Sequence, residues 1–103
     1  SITKAVELVK SQISHTHKIE VECDTIKQVI EALNAKVNII MLDNMEISDI
    51  EKSVKLINDN AIIEVSGKVT LENIEKIAKT NVDIISTSSL INKAHTLDLG
   101  LDF

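Results

Sequence analysis

The stretch from Ile39 to Met45 constrains the fold of this chain most strongly, because it is apolar up to Leu42 and becomes polar at Asp43 and Asn44. A strand that is apolar at successive positions is typical of a parallel sheet covered on both faces. In parallel α/β sheets, ligands bind outside the carboxyl ends of the strands, where loops and helix N-termini converge. We therefore predict that Asp43 lies at the ligand-binding edge of a parallel sheet.

The rest of the chain is predicted to consist of one helix followed by four strand–helix units. Helical spacing of apolar residues predicts the first helix at 2–13, and short apolar or alternating segments predict strands at 18–23, 37–43, 61–66 and 82–86. Thr25, Ser48 and Thr70 are the predicted N-caps of the next three helices. The strand ends are about twenty residues apart, which is typical of one βα unit of a (β/α) barrel. The predicted fold class is therefore α/β.

Four βα units make an incomplete (β/α) barrel, since a closed one has about eight strands. An open half-barrel would leave two long apolar edges uncovered, which native chains avoid. Residues 1–103 are therefore expected to be part of a longer chain, or to close a barrel with a partner.

Composition argues against several classes of partner. The eleven positive residues are all lysine, the net charge is -5, and Phe103 is the only aromatic residue. Neither a basic surface nor aromatic rings for base stacking are available, so no nucleic-acid partner is expected. No apolar stretch approaches the roughly 20 residues that span a bilayer. With Cys23 as the only cysteine, we expect a cytoplasmic protein without a membrane partner.

Two carboxylates are the leading catalytic candidates. Glu22 and Asp43 are one βα unit apart and each ends a predicted strand, so they are expected side by side at one edge. Such a pair suits Mg²⁺, which takes one or two carboxylates and completes its shell with water and phosphate oxygens. In the alternative interpretation, Glu22 pairs with Lys18 or another neighbour, and Asp43 caps the following helix. Glu20 is expected to face the barrel interior and to pair with Lys18.

Two loops are predicted to bind phosphate. Ser66 and Gly67 precede the helix that begins near Thr70, and the hydroxyl-rich residues 86–89 precede the last helical stretch. Free backbone N–H groups and the helix dipole favour phosphate at such positions, and the late strands of (β/α) barrels commonly hold one. Lys68 is expected to be a solvated loop residue.

Five segments carry a resemblance to a known family, namely residues 18–22 (KIEVE), 39–45 (IIMLDNM), 64–67 (EVSG), 70–74 (TLENI) and 97–102 (LDLGLD). In order and spacing they resemble the quinolinate phosphoribosyltransferase family, also called nicotinate-nucleotide pyrophosphorylase. The resemblance implies that residues 1–103 are the C-terminal portion of an incomplete (β/α) barrel of the type II phosphoribosyltransferase kind. An N-terminal α/β sandwich domain and the first barrel strands would then be absent from this chain.

The resemblance also implies an activity. The family transfers phosphoribosyl from phosphoribosyl pyrophosphate to quinolinate with Mg²⁺, giving nicotinate mononucleotide, pyrophosphate and CO₂ in NAD biosynthesis. By position, Glu22 and Asp43 match the family carboxylates that bind the ribose hydroxyls and the metal. Ser66 and Gly67 match the loop that holds the 5′-phosphate. Ser88 and Ser89 match the second phosphate loop. The complete enzyme is expected to be a homodimer or larger, and this segment alone inactive.

The chain departs from the family pattern in three places. Ser88 and Lys68 stand where glycine is usual, and Ile91 and Asn92 stand where a Thr-His or Thr-Lys pair is common. Two alternatives also remain open at this point. The chain could belong to a paralogous, molybdenum-transport-associated protein of the same architecture, or it could be a non-catalytic half-barrel that binds a phosphosugar.

Overall fold

The computed structural model describes residues 1–14, 17–67 and 69–86, and the predicted alternation of helices and strands is confirmed there. In chain order the elements are α1 (Ile2–Gln12), β1 (Glu20–Cys23), α2 (Ile26–Asn34), β2 (Ile39–Asp43), α3 (Ile47–Ile57), β3 (Ile62–Ser66), α4 (Ile74–Ala78) and β4 (Ile84–Ile85). The strands are one to three residues shorter than predicted, mostly at their N-terminal ends. None of the helices in these ranges is both long and apolar enough to cross a membrane.

The four strands form one parallel sheet in the order β1-β2-β3-β4. Each helix therefore returns the chain to the neighbouring strand, and right-handed crossovers place all the connecting helices on one side of the sheet. Glu22 is the register partner of Met41, and Asp43 is the partner of Ser66. Within the described part of the chain, the sheet is open at β1 and β4, as expected for part of a (β/α) barrel.

The two faces of the sheet differ in chemistry. The outer face, which the helices cover, is formed by alternate strand residues that are almost fully buried, and these are Cys23, Ile40, Leu42, Ile63 and Val65. They form one core cluster with helix residues such as Val29, Ile50 and Ile57. The inner face carries the other strand residues, including Glu20, Glu22, Met41, Asp43 and Glu64, which are exposed or half-buried. The hydrophobic core therefore lies between the sheet and the helices.

The predicted cap at Thr25 is confirmed. Thr25 is the N-cap of α2, and its Oγ1 accepts a hydrogen bond from the Gln28 N–H at 3.2 Å. The Gln28 side chain reaches back to accept from the Asp24 N–H at 2.8 Å. Both bonds satisfy backbone donors that have no partner within the helix.

The predicted caps at Ser48 and Thr70 are wrong. Helix α3 begins at Ile47, because the Glu46 carbonyl already accepts the first helical hydrogen bond, from the Ile50 N–H at 3.0 Å. Thr70 does accept a bond from the Asn73 N–H at 3.3 Å, and Asn73 Oδ1 accepts one from the Thr70 N–H at 2.8 Å. These bonds close a turn, and α4 begins only after it, with Asn73 as N-cap.

Candidate active site

The structure brings Glu22 and Asp43 together at the carboxyl ends of β1 and β2. Both line one cleft of about 120 Å³, together with Cys23, Asp24 and Gln28. Glu22 is exposed and Asp43 is half-buried. Because both residues lie on the inner face, their carboxylates face the side of the sheet that the helices leave uncovered.

Neither alternative role for these carboxylates is found. Asp43 does not cap α3, whose N-cap is Glu46, and its Oδ1 instead accepts a hydrogen bond from Ser66 Oγ at 3.2 Å. Within residues 1–14, 17–67 and 69–86, the ion pair that forms is Lys79–Glu75, at 3.3 Å, so Lys18 pairs with neither Glu22 nor Glu20. The Glu22 carboxylate therefore remains available to a ligand.

The turn at Gly67 lies beside this pair, at the end of β3. Gly67 has a φ of 93°, which L side chains rarely adopt, and a Cβ there would come within 2.3 Å of Asn44 Oδ1. The Asn44 N–H donates to the Ser66 carbonyl at 3.2 Å, which ties the end of β2 to the end of β3. Glycine is therefore required at the first predicted phosphate loop. Ser88 and Ser89 of the second loop lie outside the described residues.

Glu64 is an inner-face residue that the sequence analysis did not identify as a candidate. It lies two residues before Ser66 on β3, and its Oε2 accepts a hydrogen bond from Ser86 Oγ at 2.5 Å. The period-two alternation of a strand could have found it, because it places Glu64 and Ser66 on the same face. The two serines thus make equivalent contacts, each donating to a carboxylate on the preceding strand.

The inner face is electrostatically negative near β1. Burial raises the pKa of Glu20 above its usual value, and the neighbouring charges of Glu64 and Glu22 raise it further. Glu20 faces the barrel interior as predicted, but repulsion from other carboxylates replaces the predicted pairing with Lys18. A surface of this sign favours cations or groups that carry developing positive charge.

Cys23 belongs to the core. It is 1% exposed, and burial, followed by the charges of Asp24 and Glu31, raises the pKa of its thiol to about 11. A thiol with so little thiolate at neutral pH is a poor nucleophile. Cys23 is therefore a small core residue and not a candidate nucleophile.

A larger cleft lies at the opposite end of the strands, and its polar groups have structural roles. It has a volume of about 750 Å³ and is lined in part by Asn38 and Asp83. Asn38 Oδ1 accepts from the Ile19 N–H at 2.7 Å, and Asp83 Oδ2 accepts from the Ile63 N–H at 2.8 Å. These side chains satisfy backbone donors at strand starts, so the site at the carboxyl ends is the stronger candidate.

Metal binding by the protein alone is not supported in this part of the chain. Among the described residues, no group of three or more His, Cys, Asp or Glu side chains could hold a metal ion. Glu22 and Asp43 could contribute at most two carboxylates. That number is what Mg²⁺ uses when it is held jointly with the phosphates of a substrate.

Comparison with known proteins identifies the family. The model for the quinolinate phosphoribosyl transferase C-terminal domain matches residues 1–102. A Synechocystis protein named probable nicotinate-nucleotide pyrophosphorylase (carboxylating) is 44% identical over 104 residues, which cover 98% of this chain and 35% of that protein. A protein of the same name from Methanocaldococcus jannaschii is 39% identical over 108 residues, which cover 98% of this chain and 38% of that protein.

A solved structure agrees with this assignment. The crystal structure of nicotinate-nucleotide pyrophosphorylase from Ehrlichia chaffeensis matches with a TM-score of 0.85 and 42% identity, covering 90% of this chain and 34% of that one. The chain thus spans little more than a third of the length of the relatives it matches. With a family model that covers nearly every residue, this chain belongs to the quinolinate phosphoribosyl transferase family and corresponds to its C-terminal domain.

Proposed function

We propose that this chain forms the C-terminal part of a pentosyltransferase that transfers phosphoribosyl from phosphoribosyl pyrophosphate to quinolinate. The products would be nicotinate mononucleotide, pyrophosphate and CO₂, which places the reaction in NAD biosynthesis. The observation that carries the proposal is the cleft shared by Glu22 and Asp43 at the carboxyl ends of the strands. The names of the relatives support the same activity, and none of those cited supports the molybdenum-transport alternative.

The two carboxylates suit the ribose end of such a substrate. As pyrophosphate leaves, positive charge develops on the ribose ring, and a nearby carboxylate stabilises that charge. Glu22 and Asp43 can also accept hydrogen bonds from ribose hydroxyls, which would fix the ring for attack. Asp43 is held in place by Ser66 Oγ, so its carboxylate is oriented before the substrate binds.

The Ser66–Gly67 turn suits the 5′-phosphate. Gly67 is exposed, and its positive φ turns the backbone at the end of β3. Exposed backbone N–H groups in such turns bind anions without adding charge. Ser88 and Ser89 would supply the second phosphate loop.

Mg²⁺ is the proposed cofactor, and the donor set of this chain fits it. The oxygens of Glu22 and Asp43 are hard ligands, and the remaining positions would be filled by water and by pyrophosphate oxygens. When bound, the ion would neutralise charge on the leaving pyrophosphate. Glu22 and Asp43 would hold the ion, directly or through water.

The rest of the site must come from outside these residues. Quinolinate and pyrophosphate are anions that arginine binds well, and this chain has no arginine. We therefore propose that an N-terminal α/β sandwich domain and further barrel strands complete the enzyme. We also propose a cytoplasmic homodimer or larger assembly.

The first measurement is the intact mass of the protein from its source, because a mass well above 11.4 kDa supports a longer enzyme.

For activity, residues 1–103 can be fused to the N-terminal two-thirds of the Ehrlichia chaffeensis enzyme in place of its matching segment. We refer to this protein as the fusion enzyme. Quinolinate-dependent release of CO₂ is expected from it, and Asp43→Asn should lower kcat about a hundredfold.

Asp59→Asn is a matched control, because Asp59 is exposed in the turn after α3, at the opposite end of the strands, and has a φ of 66° that asparagine tolerates. It should leave kcat unchanged. A folded fusion enzyme that binds phosphoribosyl pyrophosphate but releases no CO₂ would exclude the quinolinate reaction and favour the phosphosugar-binding half-barrel. Equal activity of Asp43→Asn and the unmodified fusion enzyme would contradict the role of this cleft.

A further inference from the structure

The negative charge beside the Gly67 turn is unfavourable for a phosphate ligand. The strand-end side chain beside this turn is the carboxylate of Asp43, and the Ser66 hydroxyl already donates to Asp43. In the part of the chain that the structure describes, the donors that remain for an anion here are uncharged backbone N–H groups. Among the described residues, no backbone hydrogen bond uses the Gly67 N–H, which leaves it as the available donor of the turn.

Asn44 determines the shape of this turn from the neighbouring loop. Its backbone is left-handed, with a φ of 57°, and its N–H donates to the Ser66 carbonyl at 3.2 Å. Its carboxamide lies against Gly67, since a Cβ at that glycine would be 2.3 Å from Oδ1 and 2.9 Å from Cγ. The Asn44 side chain thus occupies the space beside the turn that any other residue at position 67 would need.

We propose that Asn44 is a positioning residue that holds the Gly67 turn in the conformation that binds the 5′-phosphate of phosphoribosyl pyrophosphate. The identity of the ligand rests on the proposed function, whereas the contact with Gly67 does not. Asn44 acts through Gly67 and is not itself a catalytic residue.

Asparagine meets three requirements that other residues meet only in part. It tolerates a left-handed backbone, it fills the space beside Gly67, and it carries no charge. Glycine would keep the backbone but leave the space empty. Aspartate would keep both the backbone and the shape, but it would add a negative charge next to a bound phosphate. Comparing these two substitutions separates packing from charge.

The test measures kcat and the KM for phosphoribosyl pyrophosphate in the fusion enzyme. Asn44→Gly should raise that KM about tenfold, because a loop residue regains conformational freedom that binding must then remove. Asn44→Asp should also raise the KM about tenfold, and this effect should shrink as salt screens the added charge. In both variants kcat should stay within about twofold of the unmodified value. A residue needed only for folding would give neither a KM effect separate from kcat nor a salt dependence.

Asn81 provides the matched control. It also has a left-handed backbone, with a φ of 71°. It is exposed in the turn before β4, at the opposite end of the strands from Gly67. Asn81→Gly and Asn81→Asp should leave the KM unchanged. An Asn44→Asp enzyme whose KM equals that of the unmodified enzyme at low salt would overturn the proposal.

A double-mutant cycle tests the contact itself. Gly67→Ala alone should raise the KM, and the same substitution should raise it by a smaller factor in the Asn44→Gly background, where the carboxamide is gone. Part of the increase in KM should persist, because alanine at position 67 must still adopt a positive φ. Additive effects of the two substitutions would exclude coupling between Asn44 and Gly67.

The outcomes distinguish the two proposals. An inactive but folded fusion enzyme that still binds phosphoribosyl pyrophosphate would contradict the proposed reaction, and the cycle could then be measured on binding. An active fusion enzyme that is insensitive to Asn44→Asp would contradict only the role of Asn44. A fusion enzyme that does not bind phosphoribosyl pyrophosphate at all would overturn both.

Discussion

The outer and inner faces of the sheet are built from the same four strands, yet their residues meet different requirements. On the outer face, most strand residues pack against the helices and are almost fully buried. On the inner face, β2 changes along its length from Ile39 through Met41 to Asp43, and β3 changes from Ile62 through Glu64 to Ser66. The outer face therefore stabilises the unit, whereas the inner face presents polar groups at the end where ligands bind.

The inner face is also where the described unit remains uncovered. Ile62, at the start of β3, is 39% exposed although it is a large apolar side chain. Its inner-face neighbours along the strand are Glu64 and Ser66, which are polar. The interior of a barrel is packed with apolar side chains at the strand starts and carries polar side chains at the carboxyl ends. This agrees with the proposal that further strands close over it.

The difference between the two faces predicts that substitutions at adjacent positions on β2 change the free energy of unfolding by very different amounts. Leu42 is on the outer face with 0% exposure, and Met41 is half-buried on the inner face. Leu42→Ala should lower the free energy of unfolding by about 3 kcal/mol, since it removes buried methyl groups and leaves a cavity. Met41→Ala should cost about 1 kcal/mol or less, because part of that side chain is already in contact with water.

Urea denaturation of the 103-residue chain, followed by far-UV circular dichroism, measures both changes. The two variants serve as controls for each other, because they remove side chains of similar size from the same strand. If Met41→Ala cost as much as Leu42→Ala, the inner face would be as important to the stability of this unit as the core.

The side-chain hydrogen bonds on the inner face should contribute less to the free energy of unfolding than the core residues do. Ser86 donates to the Glu64 carboxylate at 2.5 Å, and Ser66 donates to the Asp43 carboxylate at 3.2 Å. Ser86→Ala should therefore lower the free energy of unfolding by about 1 kcal/mol, and Ser66→Ala by about half of that. Ser86→Thr, which keeps a hydroxyl group, should recover most of the loss. Equal losses for Ser86→Ala and Ser86→Thr would show that the hydroxyl is not what matters.

Most of the fold could be predicted from the sequence, because periodicity follows directly from which side chains are buried. The alternation of Glu20, Val21, Glu22 and Cys23 in β1 gave the correct faces. Cap positions were less predictable, because a serine or threonine followed by an acid or amide occurs both at caps and elsewhere. Ser48 fits that pattern inside α3, and Thr70 fits it in a turn before α4.

The site could be predicted only in part. Strand ends are visible in the sequence, so Glu22, Asp43 and the Gly67 turn were identified in advance. Alternation along β3 could have placed Glu64 on the inner face, but its contact with Ser86 and that of Asn44 with Gly67 could not be predicted, because they join residues 22 or 23 positions apart on neighbouring strands. Such contacts depend on register, which a single sequence does not specify. The predicted pair of Glu20 and Lys18 was wrong for the same reason, since the groups that matter to Glu20 include Glu64 on β3.

The smallest expected effect concerns the charge of Glu20. Partial desolvation, then the charges of Glu64 and Glu22, raise the pKa of this carboxyl in the folded protein above its usual value of about 4.5. The folded state therefore binds the proton more tightly than the unfolded state, so stability should fall as the pH rises from about 4.5 through the folded-state pKa. Glu20→Gln removes this loss and should stabilise the chain at pH 7 relative to the unmodified protein. The gain should be no more than about 0.5 kcal/mol, because Glu20 is exposed and water screens its neighbours. Urea midpoints at pH 4 and pH 7 measure it. In a Glu64→Gln background the gain should shrink, because one source of repulsion is gone, and an equal gain at both pH values would contradict an origin in the charge of Glu20.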